Sequence, residues 1–446
     1  MVHRIVPAHD PATWPVRDRV AALYRLFPRR QLQRLVREVE ADSRRCPRLP
    51  GWFLLVFVIG LGLFARDSYR QVVRWLSPKL AGGTPGRSTF AMARQRLGVN
   101  PLRRLAHLVV RLLADPKAHP NAFFHGRRLL AIDGFRLNLP DTPANAQHFG
   151  RPKGGRTPGA FPQVRVTALC ELGTHVFWRW IAGPLSRGEM TQARELFHHL
   201  LADHLLLGDR ADGNYPAVQA IRERNAHALL RLSRLAKFEV SKRLADGSFL
   251  THIYPSWRDK RLERHGIEVR IIRYRLGRGK ATRLLTTLLD AKAAPAKELI
   301  ELYHRRWEEE LSIDELKTHL LDGAGLRSQT VAGVEQEIEG VMLSHYVIRV
   351  LIVEAATAAG VEPTALSFVG ALKVLRCRLA DCRGGAKRQR TWAKAVIAEI
   401  GEEGLPERRE RRNPRAIRQK MSKWPKKQPR RGRVKPATRY KITMLR

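Results

Sequence analysis

Acidic residues are scarce in this chain. Asp and Glu number 41 against 82 Lys and Arg, a formal net charge of +41 on 446 residues. Self-repulsion on that scale works against a compact state, and a polyanionic partner relieves it. DNA or RNA is the candidate the charge points to, because neutralising phosphates releases condensed counterions, the alternative being a ribosome-like or merely basic protein. Cysteine is scarce too: Cys46, Cys170, Cys377 and Cys382 are all there are. Only the last two are neighbours, and no second pair completes a four-ligand zinc site. So few thiols exclude a disulfide-stapled scaffold and fit a reduced, cytoplasmic compartment. Long apolar runs are missing as well. The stretch 52–65, WFLLVFVIGLGLFA, falls short of the ~20 residues a bilayer takes and begins too late for a signal peptide. A buried helix is expected there, and no membrane partner. The chain also lacks a G-x4-G-K-[ST] loop and a serine elbow, which excludes an ATP-driven regulator and a serine hydrolase. Its 16 histidines, among them His198, His199, His204 and His227, show no zinc spacing.

What is present reads as a folded chain of several domains, with 44% apolar residues. Residues 1–120 read as a helical N-terminal DNA-binding domain. PRRQLQRLVREVE repeats apolar residues at helical spacing, and a Gly/Pro break, LAGGTPGRS, precedes TFAMARQRLG. Two short helices about a turn, the second carrying Arg94, Gln95 and Arg96, suggest a helix-turn-helix-like reader with Arg94 and Arg96 on DNA. From Arg127 the pattern changes to strands. RLLAIDGFRLNLP is an apolar run that ends on Asp133, after which Phe135, Leu137 and Leu139 alternate with polar residues and Pro140. The order over 125–236 is three strands, helix, strand, helix, strand. A more polar strand pattern over 237–290 reads as a β insertion. A long helix from Pro295 through KELIELYHRRWEEELSIDELKTHLL belongs to a segment 291–360. Residues 361–446 are helical and then basic: 406–446 hold 17 Lys and Arg against Glu407 and Glu410, interrupted by five prolines. That composition describes a basic arm without structure of its own in the absence of DNA.

Three carboxylates stand in settings that suit metal-assisted phosphodiester chemistry. Cleaving a phosphodiester at neutral pH requires an activated nucleophile and neutralised charge on the attacking and leaving oxygens. Two divalent ions about 4 Å apart do both, and hard ions take carboxylate oxygens. Asp133 interrupts a run otherwise too apolar to welcome charge. Asp209 follows LLLG at the end of a buried strand, and Glu310 lies on the long helix. Each alone has an ordinary reading as a turn residue or a solvated acid, and Asp141 and Asp212 are alternative ligands. Glu189, at a helix start, either supports the site or favours the helix dipole. On the long helix Tyr303, Arg306, Glu310 and Lys317 are three, four and seven residues apart. At ~100° per residue they share an arc of roughly 60°, flanked by Leu302, Leu316 and Leu320. A carboxylate bordered by cations suits a phosphate backbone, although Arg306 and Glu310 are also an i,i+4 pair of the kind found on solvated faces.

The pattern Y-x2-R-x3-E-x6-K in YHRRWEEELSIDELK resembles the YREK signature of the insertion-sequence-four family of bacterial DDE transposases. DGFRLNLPDTPANAQHF resembles that family's first-aspartate region and LLLGDRADGNY its second, although DRADG departs from the commoner turn. FPRRQLQRLVREV and LLVFVIGLGLFARDSYRQVV resemble its N-terminal domain. The resemblance implies an α/β fold, an RNase H-like catalytic core with a β-strand insertion. It implies Asp133, Asp209 and Glu310 as a catalytic triad holding two Mg²⁺ ions, with Mn²⁺ as a substitute. Tyr303, Arg306 and Lys317 then hold phosphates, and Trp257 is the candidate for stacking a flipped base. The activity implied is cut-and-paste transposition through a hairpin intermediate. It acts on terminal inverted repeats and target DNA, as a homodimer, on the nucleoid. An inactive or regulatory DNA-binding protein and a stand-alone metal-dependent nuclease are the alternatives.

Overall fold

Among the described residues, five α-helices precede the first long strand: α1 (Arg29–Ala41), α2 (Gly51–Leu63), α3 (Tyr69–Leu76), α4 (Arg87–Leu97) and α5 (Asn100–Val109). The computed structural model describes residues 27, 29–41, 49–76, 85–154, 157–209, 213–233, 238–276, 281–382, 386–406 and 442–444. Helix α2 is apolar on every side and all thirteen of its residues are buried, as such a helix requires.

The strands then follow in the expected order. β1 (Arg127–Asn138), β2 (Gln163–Glu171) and β3 (Val176–Pro184) form an antiparallel meander, with a short helix α6 (Pro143–Phe149) between the first two. After α7 (Glu189–Phe197), β4 (His204–Gly208) pairs parallel to β1. After α8 (Tyr215–Arg222), β5 (His227–Arg231) pairs parallel to β4. The spatial order β3-β2-β1-β4-β5, with the last three strands parallel, is RNase H-like. The strongly apolar β4, HLLLG, is buried on both faces, as a central parallel strand should be.

The insertion continues this sheet rather than forming one of its own. β6 (Lys242–Arg243), β7 (Phe249–Ile253), helix α9 (Trp257–Arg261), β8 (Ile267–Leu276) and β9 (Thr282–Thr286) follow in sequence. β9 pairs antiparallel with β5, so the sheet runs on as β5-β9-β8-β7-β6.

The expected long helix is in three pieces. α10 (Ala296–His304) ends in a turn at Arg305–Arg306, α11 (Trp307–Asp314) restarts, and Glu315–Leu320 opens into a π-helix. The single 60° arc of Tyr303, Arg306, Glu310 and Lys317 assumed an unbroken 100° rotation, and both interruptions change it.

Helix α12 (Val331–Ala359) is long and apolar enough to cross a membrane by length and composition, yet 83% of its apolar window is buried in the protein. It crosses α2 closely. A Cβ on Gly340 would meet the Val58 carbonyl oxygen at 2.4 Å. Next to it, Ser344 Oγ donates to the Ile59 carbonyl at 2.6 Å. Helices α13 (Phe368–Arg378) and α14 (Ala386–Gly401) pack behind α12, and β10 (Ile442–Met444) pairs antiparallel with β8.

Two sequence expectations need correction here. Arg94 does not face DNA: it is 5% exposed, and its guanidinium is spent on α12 and its approach. Nε donates to Gln336 Oε1 at 3.0 Å and Nη2 to the Gly333 carbonyl at 2.8 Å, while Nη1 reaches Tyr69 Oη. A buried guanidinium needs such acceptors, and a reader helix would have left it free. The basic arm over 406–446 lies mainly outside the described residues, but its far end is a strand, because Ile442 to Met444 complete an edge of β8.

Candidate active site

Register places the two aspartates side by side. In the parallel β1–β4 ladder the last match is Ala131 with Leu207. Asp133 and Asp209 each lie two residues further along, so both come just past the end of this parallel ladder, on the same step, where β4 stops and β1 runs on to Asn138 beside β2 alone. One strand over, Gly208 matches Leu230 in the β4–β5 ladder, which puts Arg231 level with Asp209. This end of a parallel sheet is where α/β folds collect polar chemistry, because the strands stop and the apolar core stops with them.

Asp133 breaks the buried run Leu129–Ile132 and is half-buried itself. Burial pushes its carboxyl up to about 6, and the charges of Glu189 and Asp209 push the same way. The Gly134 N–H, 2.7 Å from Oδ1, and the Arg306 guanidinium oppose that rise. Glu189, in the first turn of α7, lies against the backbone beside Asp133: a Cβ on Gly134 would fall 2.7 Å from Glu189 Cδ. Glycine is the residue that leaves room for that carboxylate.

The helix opposite supplies the cations. Arg306, in the turn between α10 and α11, pairs with Glu310 at 3.1 Å and with Glu309 at 3.8 Å. Burial works against its charge, but Tyr303, Glu309, Asp133 and Glu310 together hold it above its ordinary range. Tyr303 is buried under this turn, which raises its phenol, while Arg306 and Arg231 draw it back. Asp133, Asp209, Glu189, Tyr303 and Arg306 thus share one electrostatic neighbourhood with Arg231 at its side. Glu310, 40% exposed in its side chain, joins through Arg306. Lys317 is half-exposed in the π-helical segment beyond.

The other candidates fall elsewhere. Trp257 opens α9 in the insertion and is 72% exposed, with the Arg261 guanidinium carbon 5.6 Å from its ring centre. It lines a cleft of about 730 Å³ shared with Tyr254, Lys260, Asn214 and Tyr215. The last two belong to the segment after Asp209, so the cleft joins the insertion to the second-aspartate region. Arg96 is exposed on α4. Asp141, beyond the end of β1 and eight residues after Asp133, is engaged by Arg151, and Asp212 lies outside the described residues.

Two residues escaped the sequence reading. Arg231 has no motif of its own and is placed by register alone. Glu309 is 1% exposed among acids that looked solvated. The signal for it was there: Glu309 lies seven residues from both Leu302 and Leu316, on the apolar stripe.

The donors at the strand ends are all oxygens, the chemistry of a hard divalent ion. Two aspartates and Glu189 crowd together with Asp133 pushed towards its neutral form, a repulsion that a cation relieves. Among the described residues no three acidic, His or Cys side chains are yet close enough to close on an ion, and Glu310 is turned to Arg306 instead.

Comparison with known proteins decides what this centre belongs to. Residues 124–347 match the family of the transposase DDE domain, and residues 17–107 match the N-terminal domain of insertion element 4 transposases. The chain belongs to the insertion-sequence-four family of DDE transposases. It is 29% identical over 403 residues to the transposase InsG for insertion sequence element IS4 of Escherichia coli (strain K12), covering 88% of this chain and 91% of that one. It is 27% identical over 175 residues to the putative transposase InsZ of the same organism, 36% of this chain and 54% of the relative. A cryo-EM structure of a piggyBac transposase synaptic complex with hairpin DNA aligns at a TM-score of 0.46 and 10% identity, over 89% of this chain and 87% of that one. The transposase is therefore a DNA-cleaving enzyme, and the strand-end centre of its DDE domain is where that activity is sought.

Proposed function

We propose that this transposase performs cut-and-paste transposition, with Asp133, Asp209 and Glu310 as the residues that hold two Mg²⁺ ions, Mn²⁺ substituting. The observation that carries this is the matched register of Asp133 and Asp209, facing a helix that brings Glu310 and Arg306. Such ions supply Lewis acidity to the attacking and leaving oxygens of the phosphodiester.

The chain's own residues do the rest. Arg306, Tyr303 and Lys317 grip the phosphates on either side of the scissile bond, with charge-assisted hydrogen bonds from the first. Water oxygen attacks phosphorus, and the 3′ oxygen leaves and takes up a proton. That hydroxyl then loses its proton and attacks a phosphorus of the opposite strand, displacing the 3′ oxygen of the flanking DNA, which is protonated, to close a hairpin. Trp257, exposed beside its cleft, stacks a base flipped out near the hairpin. Residues 1–120, with Arg96 exposed, read the terminal inverted repeats. The sheet strands and broken helix of 125–236 and 291–360 form the catalytic unit. The insertion over 237–290 holds the hairpin, and the basic residues of 361–446 bind backbone. The protein acts as a homodimer across two ends, on nucleoid DNA in the cytoplasm.

The test is cleavage of a labelled duplex carrying the element's own ends, with Mg²⁺, by wild type and Glu310→Ala. Mg²⁺-dependent nicking with a hairpin product, absent in the mutant, is expected. Binding without cleavage by either protein would mean a regulatory DNA-binding protein. Nicking of unrelated duplexes without hairpins would mean a stand-alone nuclease.

A further inference from the structure

Five residues beyond Glu310 the helix buries a second carboxylate that the chemistry above does not use. Glu315 accepts from Arg349 Nε at 3.0 Å and again from Arg349 Nη2. His175 Nδ1 lies 2.9 Å from one of its oxygens and His345 Nε2 3.2 Å from the other. Arg349 and His345 are one turn apart on α12, the long core helix. His175 sits in the tight turn before β3 with φ +57°, a left-handed conformation that non-glycine residues seldom adopt. One carboxylate therefore ties the catalytic helix to two separate parts of the core.

The position of this tie coincides with the break in helical geometry. Glu309, Ser312, Leu316 and Leu320 are buried at spacings of three and four, the stripe of an ordinary amphipathic helix. Glu315 is buried as well, directly before Leu316. A regular helix turns consecutive residues ~100° apart, so the two do not share one narrow stripe. At this point the helix opens to π geometry, with the Leu321 N–H bonding five residues back to the Leu316 carbonyl at 3.0 Å. The wider turn lets both side chains go inward. It also begins beyond Glu310 and contains Lys317, so it sets how those two are aimed relative to each other.

We infer that Glu315 is a positioning residue: its ion cluster with Arg349, His175 and His345 holds the π turn and thereby aims Glu310 and Lys317 at the strand-end centre. A buried charge that loses its partner is strongly disfavoured, so the cluster holds this turn as long as Glu315 and Arg349 are both present. The inference rests on the proposed role of Glu310 as a metal ligand.

The test uses full-length protein well below its melting temperature, with Glu315→Gln, His345→Gln and Glu310→Gln beside wild type. Three quantities are read: Kd for the element-end duplex, single-turnover cleavage against Mg²⁺ concentration, and Mn²⁺ binding to DNA-free protein by electron paramagnetic resonance. For Glu315→Gln the DNA Kd stays within about twofold, while cleavage and Mn²⁺ affinity fall about tenfold or more, as is usual for residues that orient metal ligands. A folded Glu315→Gln with wild-type cleavage and Mn²⁺ affinity, alongside an inactive Glu310→Gln, overturns the inference and leaves the reading of Glu310 standing. Normal cleavage and Mn²⁺ binding by Glu310→Gln sinks that reading instead, and this inference with it. If Glu315→Gln does not fold, His345→Gln keeps the Arg349 pair and decides. A weaker shift of the same kind, about threefold, supports the role, and no shift overturns it.

Discussion

Arg306 Nη2 stands 3.1 Å from Glu310 Oε1, so the guanidinium and the carboxylate proposed to act on the same phosphodiester are paired with each other before DNA arrives. Glu310 is 40% exposed in its side chain and Arg306 16%, so this i,i+4 pair contributes on the order of 0.5–1 kcal/mol to folding, and Arg306 also faces the buried Glu309. Arg306→Gln, which keeps a hydrogen-bond donor, should therefore cost only about 1 kcal/mol of stability. Cleavage should still fall about 10- to 100-fold, the size of one lost charge-assisted hydrogen bond to phosphate. Thermal melts and single-turnover cleavage of one preparation check both halves. A large loss of stability would make Arg306 a structural residue.

Asp133 carries the opposite kind of burden. Its carboxyl is raised to about 6, so the folded protein holds a proton there that the unfolded chain has released above its ordinary value near 4. Stability from this group is full below that ordinary value and declines as pH rises through about 6. Asp133→Asn should thus stabilise the metal-free protein at pH 8 by roughly 2 kcal/mol, and by much less at pH 4. Cleavage should drop about 10³-fold or more. Denaturant melts at the two pH values test the sign.

Arg94 and Arg96 are two residues apart and should behave as different classes of mutant. Removing the buried Arg94 strands Gln336 and the Gly333 carbonyl, so Arg94→Ala should cost about 2–4 kcal/mol. Arg96→Ala should leave stability within about 0.5 kcal/mol and weaken binding to the element ends. Melts and salt-dependent binding isotherms distinguish them, and equal behaviour would refute the assignment.

Glu339 on α12 offers a test away from the chemistry. Burial raises its carboxyl to about 7, with Arg103 at 3.8 Å and Trp180 Nε1 at 3.2 Å offsetting only part. Its contribution to stability is full below the ordinary glutamate range and lost as pH rises through 7. Glu339→Gln should raise the melting temperature at pH 8.5 and have little effect at pH 4.5. A stabilisation equal at both values would point to packing instead of charge.

Trp257→Ala should spare stability, because the ring is 72% exposed, and slow the hairpin steps selectively. First-strand nicking at the wild-type rate with fewer hairpins is the expected gel pattern. Equal slowing of both steps would count against base stacking.

Much of this was legible in the sequence because local chemistry and tertiary position coincide in the catalytic core. The apolar runs leading to Asp133 and Asp209 are adjacent parallel strands whose pairing ends just before the two aspartates, and the alternation past Asp133 is the continuation of β1 along β2. Other features depend on contacts distant in sequence. Nothing in TFAMARQRLG tells that Arg94 has acceptors 239 and 242 residues away. The break at Arg305–Arg306 carries no proline or glycine, and the π turn answers to Arg349 rather than to any local propensity. β10 is three residues inside a strongly basic stretch, and its pairing with β8 has no periodic pattern to announce it.

The insertion is hydrogen-bonded into the same sheet as the aspartates, through β9 on β5. It therefore has no hinge of its own along that seam. In the proposed reaction, a strand held at Trp257 and cut beside Asp133 is clamped at both points by one stiff plate, as work is held in a jig. The separation between grip and blade is set by strand spacing, and a substrate must bend or unstack to meet it.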